Sequence, residues 1–385
     1  MIPYGRHEIS ETDIDAVVEV LRSDFLTQGP MVPHFEKLVA NYCGSDYAVA
    51  VNSATSALHL ACLALELGPG DRVWTSPITF VASANCALYC GAIIDFVDIN
   101  PFDFNMSVTA LNEKLEFAAK TGALPKIVIP VHLAGQSCDM ASIYDLSKKY
   151  GFKIIEDASH AIGGRYNSEP IGSCRFSDIT VFSFHPVKII TSAEGGMAVT
   201  NDAKLADKMA LLRSHGITRD EKKMTRPADG GWYYEQIALG FNYRLTDLHA
   251  ALGVSQLKRL DQFVSRRHEI ANIYHDALRD LSLALPAENS ETYSSYHLYI
   301  VSLIESYHVA RRGEIFEALR KQGVMVNLHY IPVHMQPYFT GLGFKKGSYP
   351  VAEDFYQRAL SIPIFPSLTS DQQSYVVNCL HDILK

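Results

Sequence analysis

Seven short apolar runs, at 48–52, 73–76, 93–97, 127–131, 153–156, 179–184 and 196–200, alternate with helix-length stretches. Runs of this length, rich in β-branched residues and separated by helical spacers, are the pattern of βα units feeding a largely parallel sheet. They predict one large α/β layer domain, preceded by amphipathic helices at about 11–23 and 33–43. In an open sheet of this kind ligands gather at the carboxyl ends of the strands. The residues just after each run are therefore where chemistry is to be sought.

From about Gln256 the texture changes. A long charged helix over 257–278, the apolar run Tyr299-Ile300-Val301-Ser302-Leu303, a helix at 310–322 and a closing helix from about 370 predict a smaller α+β domain. A chain of 385 residues suits two such units, a large one over 1–255 with an N-terminal arm and a small one over 256–385. The net charge of -8 argues against non-specific nucleic-acid binding, which needs a basic face. No apolar run is long enough for a bilayer, and Met1-Ile2-Pro3-Tyr4-Gly5-Arg6-His7 lacks the apolar core of a signal peptide. The seven cysteines form no CxxC pair, and Cys86 and Cys90, though one helical turn apart, have no second ligand pair for a metal. A cytoplasmic enzyme without a metal site is the expectation, which leaves the Asn105-Met106-Ser107 sequon inert.

Four segments after the runs carry chemistry. In Ser183-Phe184-His185-Pro186-Val187-Lys188 a core strand breaks at a proline and delivers one lysine. An amine desolvated there has a lowered pKa, and only a neutral amine attacks a carbonyl. A solvated loop lysine is the alternative. Lys153-Ile154-Ile155-Glu156-Asp157 ends another strand in two acids. Pyridoxal phosphate needs a carboxylate at its ring nitrogen, to keep the ring able to accept electrons, and Asp157 suits that role. A helix cap would also explain it. Asn52-Ser53-Ala54-Thr55-Ser56 opens a helix whose first amides are free for a phosphate, or merely caps it. Phe80 in Ile78-Thr79-Phe80-Val81 is placed to stack on a flat ring, or to fill the core. Neither a Walker motif nor a GxGxxG is present.

Taken together these segments resemble the DegT/StrS-type nucleotide-sugar aminotransferases, which share the fold-type I aspartate-aminotransferase architecture. The resemblance spans almost the whole chain and includes Leu26-Thr27-Gln28-Gly29-Pro30, Val131-His132-Leu133-Ala134-Gly135-Gln136, Glu194-Gly195-Gly196, Gly240-Phe241-Asn242-Tyr243-Arg244, His329-Tyr330-Ile331-Pro332 and Ile362-Pro363-Ile364-Phe365-Pro366. It implies pyridoxal 5'-phosphate as cofactor, Lys188 as the Schiff-base lysine and Asp157 as the partner of the ring nitrogen. It further implies Thr55, Ser56 and Ser183 at the cofactor phosphate and Phe80 stacked on the ring. Asn242 would reach the neighbouring subunit's cofactor in a homodimer. Many members carry Gln three residues after the aspartate. Here His160 stands in that place, so its tautomer and charge are open.

Arg213-Ser214-His215-Gly216-Ile217-Thr218 and Gly231-Trp232-Tyr233-Tyr234-Glu235 are similar to the C4 aminotransferases of pseudaminic acid biosynthesis. That subgroup implies a UDP-linked 4-keto-6-deoxy-N-acetylhexosamine as substrate and L-glutamate as amino donor. Tyr4, Arg6, His185, His329 and Tyr330 are the candidates around the sugar. Arg219, Lys222, Lys223 and Arg226 form a basic loop, either a contact for the nucleotide or a solvated surface. Two rivals stay open: another nucleotide-linked keto-sugar, and a non-catalytic cofactor-binding regulator on the same scaffold. A sugar dehydratase of this fold carries histidine in place of the lysine, so Lys188 argues against it.

Overall fold

The computed structural model describes residues 1–287 and 289–384. All seven apolar runs are strands of one sheet: β1 (Tyr47–Val51), β2 (Arg72–Thr75), β3 (Ile93–Phe96), β4 (Ile127–Ile129), β5 (Lys153–Asp157), β6 (Ile179–Ser183) and β7 (Gly196–Thr200). Their order across the sheet is β1-β7-β6-β5-β4-β2-β3. β7 runs antiparallel to both its neighbours, and every other pairing is parallel. The exception has a local cause. Residues 184–195 between β6 and β7 form a folded turn rather than a helix, so the chain cannot cross over and must return beside the strand it left.

Helices cover both faces. On one side α1 (Glu11–Leu21) and α2 (Met31–Cys43) match the amphipathic segments expected there. α1 starts at a full capping box, with Ser10 accepting from Asp13 N–H and Asp13 accepting from Ser10 N–H. α3 (Ala54–Ala64) and α4 (Ala82–Tyr89) follow β1 and β2 directly, as right-handed βα units require. α3 is apolar almost all round and its buried face packs with Val49, Val51, Ile155 and Val181 of the sheet.

Beyond the sheet, α5 (Asp247–Leu257) leads into α6 (Leu260–Leu278), the long helix expected over 257–278. α6 joins two cores: Leu260, Phe263 and Val264 pack with the sheet-side cluster, whereas Ile270, Tyr274 and Leu278 pack with the C-terminal one. The second core forms around a three-stranded antiparallel sheet that contains Tyr299–Leu303 and Ala359–Ile362, backed by Arg312–Lys321 and Ser370–Leu384. The N-terminal arm belongs with it: Ile2–Pro3 pairs in parallel with Val324–Met325. All seven cysteines are buried and unpaired, and no cluster of metal-ligating residues occurs among the described residues. No described helix is long and apolar enough to cross a membrane. Asn105 is buried, and its amide donates to the carbonyls of Gln136 and Ser137, so the sequon is part of the packing.

Candidate active site

Because every strand but β7 points the same way, their carboxyl ends share one edge with the amino end of β7. A cavity of about 340 Å³ opens at that edge. Its wall draws on the residues after β1, β2, β4, β5 and β6, as the sheet topology demands.

Lys188 comes from the turn between β6 and β7. Phe184 anchors that turn, accepting at its carbonyl from Ser192 N–H (3.0 Å) and Thr191 Oγ1 (3.0 Å) while its own N–H donates to Gly195 O (2.9 Å). Lys188 is half-buried in the cavity wall and makes no ion pair or hydrogen bond through Nζ with the described residues. Burial of the amine pulls its pKa from 10.5 to about 8, against the opposing pull of Asp157. A useful fraction of neutral amine is therefore present near neutral pH, as a nucleophile requires.

Asp157 ends β5, the strand next to β6, and is 5% exposed. Ser83 Oγ donates to its Oδ2 at 2.6 Å, and Ser159 donates to Oδ1 through both Oγ (2.6 Å) and N–H (3.1 Å). Three donors from α4 and the loop after β5 thus fix the carboxylate's orientation. One position earlier, Glu156 turns into the core. Burial pushes its pKa up, but His132, Ser177 and Thr180 outweigh that and the net shift is downward. The two acids of this strand end have separate duties, one structural and one facing the cavity.

The phosphate-type cradle lies at the start of α3. Ser53 is its N-cap, accepting from Ser56 N–H at 3.1 Å. The amides of Ala54 and Thr55 have no acceptor within the helix and sit at the positive end of its dipole. Ser53, Thr55 and Ser183 line the cavity. Ser56 does not: its hydroxyl donates to Asn52 Oδ1 at 2.7 Å, inside the cap network. A Cβ on Gly196 would come within 2.5 Å of Ala54 N and Ser53 O, so only glycine lets β7 approach this turn.

Around the mouth, Phe80 is 59% exposed, so it is no core residue. Its ring lies 6.3 Å from that of Tyr330. Tyr4, His185, His329 and Tyr330 line the cavity with His160. His329 is held down to about 4 by burial and by Lys188, and His160 well below its usual range by burial, Lys188 and His329. Arg6 and Asn242 are exposed and outside this chain's cavity lining. The basic loop also lies on the surface, where Lys223 pairs with Asp207 (2.9 Å) and Arg226 stacks over Tyr233. Three participants had no place in the sequence reading: Ser83, Ser159 and His297. Serines two residues after an acid, or in the first turn of a helix, read as turn and cap residues. Nothing local in the sequence connects them to a site.

An anion cradle, a buried carboxylate and a desolvated amine around one cavity fit a phosphorylated, basic aromatic aldehyde. With the carboxylate at the end of β5 and the lysine in the turn after the adjacent β6, both facing one cavity, the molecule stands among the fold-type I pyridoxal-phosphate aminotransferases. The chain belongs to the DegT/DnrJ/EryC1/StrS aminotransferase family, whose profile matches residues 7–381. Pyridoxal phosphate is the cofactor of that family. The spore coat polysaccharide biosynthesis protein SpsC of Bacillus subtilis is 39% identical over 387 residues, covering 100% of this chain and 97% of that protein. The UDP-4-amino-4,6-dideoxy-N-acetyl-β-L-altrosamine transaminase of Campylobacter jejuni (serotype O:2) is 38% identical over 389 residues, covering 100% and 98%. Among solved structures, Helicobacter pylori PseC, an aminotransferase of pseudaminic acid biosynthesis, superposes with a TM-score of 0.90 at 31% identity, covering 100% of this chain and 99% of that one.

Proposed function

We propose that this enzyme transfers the amino group of L-glutamate to the C4 ketone of a UDP-linked 4-keto-6-deoxy-N-acetylhexosamine. The product would be UDP-4-amino-4,6-dideoxy-N-acetyl-β-L-altrosamine, an intermediate on the way to pseudaminic acid. The observation that carries the reading is that Asp157, at the end of β5, and Lys188, in the turn after the adjacent β6, line one cavity. The full-length likeness to the Campylobacter transaminase supplies the substrate.

When bound, pyridoxal phosphate supplies an electron sink and carries the amino group from donor to acceptor. Lys188 Nζ holds the cofactor, then takes the proton from the donor's α-carbon and later delivers one to C4 of the sugar. Its lowered pKa suits both directions of transfer. Asp157, oriented by Ser83 and Ser159, holds the ring nitrogen protonated. Ser53, Thr55 and Ser183 bind the phosphate with the first amides of α3, and Phe80 covers the ring. Tyr4, His185, His329 and Tyr330, which line the cavity, bind the sugar, and the exposed Arg6 outside the lining would meet only the outer part of the substrate.

The working unit in this reading is a cytoplasmic homodimer, in which Asn242 of one copy reaches the other's cofactor phosphate. The exposure of Asn242 away from its own cavity supports this, as do the exposed Ile14, Leu21, Phe25 and Leu26 along the first helix and the loop that follows it. An aminotransferase for another nucleotide-linked keto-sugar is the second reading, favoured by the equal likeness to the spore-coat protein. Incubation with glutamate and a panel of UDP- and dTDP-linked 3-keto and 4-keto sugars, followed by mass spectrometry, separates the two. Amination of the UDP-4-keto-6-deoxy-N-acetylhexosamine supports the first reading, and amination only of another sugar replaces it with the second.

A further inference from the structure

His297 lies beside His160, with ring centroids 4.5 Å apart and planes inclined at 46°. Both rings are buried in the cavity wall. In the ring orientation that the contact with His297 holds, His160 Nδ1 accepts the backbone N–H of Ala134 at 3.3 Å, a long bond that a small tilt of the ring would break, and the proton of the neutral ring then sits on Nε2. Nε2 is 3.1 Å from the hydroxyl of Tyr330, another cavity residue.

The same stitches bind His297 to this arrangement. Leu298 N–H donates to Ala134 O (3.2 Å), Ser295 N–H to Gly135 O (3.1 Å), and Ser295 Oγ to His160 O (2.7 Å). A Cβ on Gly135, at φ +101°, would collide with Ser295 Oγ, so the contact requires glycine. Behind them Arg267 is 1% exposed and has no acidic partner among the described residues. Its Nη1 instead donates to the carbonyls of Tyr296 (3.0 Å), His297 (3.2 Å) and Ile364 (3.1 Å). His297 Nδ1 is buried without a partner, as is Arg267 Nε. A buried cation held only by carbonyl dipoles and an orphaned ring nitrogen each cost stability, so packing alone does not account for them.

We propose that His297 is a positioning residue for the transamination: its uncharged ring, carried on a backbone that Arg267 pins at the carbonyl, keeps His160 as a neutral Nε2–H donor of fixed direction facing the cofactor. This rests on the cofactor occupying the cavity as proposed above. Burial holds His297 well below the usual imidazole range, and His160, Lys188, Arg267 and His329 around it act in the same sense.

Selective ¹⁵N-histidine labelling of the cofactor-free protein, with His160→Gln for assignment, reads the tautomer directly. In the wild type, His160 should remain neutral and protonated on Nε2 from about pH 8 down to about pH 6. In His297→Ala it should mix tautomers, with its titration midpoint raised by about one unit or more. His297→Phe restores a ring without a titratable nitrogen and should recover the wild-type pattern. An unchanged His160 in His297→Ala, or no recovery in His297→Phe, overturns the proposal. If His297→Ala loses its circular-dichroism signature, His297→Asn replaces it: mixed tautomers there support the proposal, and an unchanged His160 overturns it. A wild type that binds no pyridoxal phosphate would sink the cofactor reading instead, while the tautomer in the cofactor-free protein still decides the role of His297.

Discussion

Ser83 Oγ stands 2.6 Å from Asp157 Oδ2, so a hydroxyl in the first turn of α4 donates to the carboxylate that ends β5, 74 residues further along the chain. The bond ties the βα unit that bears Phe80 to the buried acid of the cavity wall. Asp157→Asn should keep the fold but slow the glutamate half-reaction by about 10²-fold or more, the scale of losing one preorganised electrostatic group. Ser83→Ala should slow it by about 10-fold, and the double variant should be no slower than Asp157→Asn alone, because the serine acts through the acid. Stopped-flow rates for the three proteins check this. Additive losses would separate Ser83 from the Asp157 function.

Phe80 offers a cleaner separation of binding from stability. With 59% of its surface exposed, Phe80→Ala should change unfolding free energy by no more than about 0.5 kcal/mol. The loss of a stacking partner should nonetheless weaken pyridoxal-phosphate binding by roughly 2- to 12-fold, corresponding to about 0.5–1.5 kcal/mol. Fluorescence titration and urea unfolding of the cofactor-free protein measure the two quantities. A large stability loss with unchanged affinity would return Phe80 to a packing role.

Lys188 costs the cofactor-free protein stability. Its folded pKa of about 8 lies below the ordinary 10.5, so the folded state disfavours the charged amine. The penalty is complete below about pH 8 and disappears as pH rises through 10.5, where both states are neutral. Lys188→Met should therefore raise the Tm of the cofactor-free protein at neutral pH by roughly 1–3 °C, a gain that shrinks towards pH 10.5. Thermal unfolding at the two pH values tests the sign. A variant less stable at pH 7 would contradict it.

The sheet and its working edge were legible because both follow from local pattern: β-branched runs make strands, and the topology puts the following residues at one rim. Lys188, Asp157 and Thr55 could be found that way, each being close to a strand end. The antiparallel β7 was less plain, since its run reads like the others and only the helix-free turn at 184–195 sets its direction. Ser83, Ser159 and His297 act through partners brought near by folding, and no periodicity encodes such pairs. Phe80 was ambiguous for the opposite reason: stacking and core packing ask for the same side chain, and only its exposure decides.

Lys188 is expected to move the donor's proton in a cavity where Asp157 holds the cofactor ring. The most direct measurement is an absorbance spectrum of the pyridoxal-phosphate-loaded protein before and after glutamate, with 2-oxoglutarate assayed in parallel, on the wild type and Lys188→Ala. In the wild type a visible band should give way to that of the aminated cofactor as 2-oxoglutarate appears, and Lys188→Ala should make it at least about 10²–10⁴-fold more slowly. A wild-type band unmoved by glutamate, or equal 2-oxoglutarate formation by Lys188→Ala, would contradict the claim.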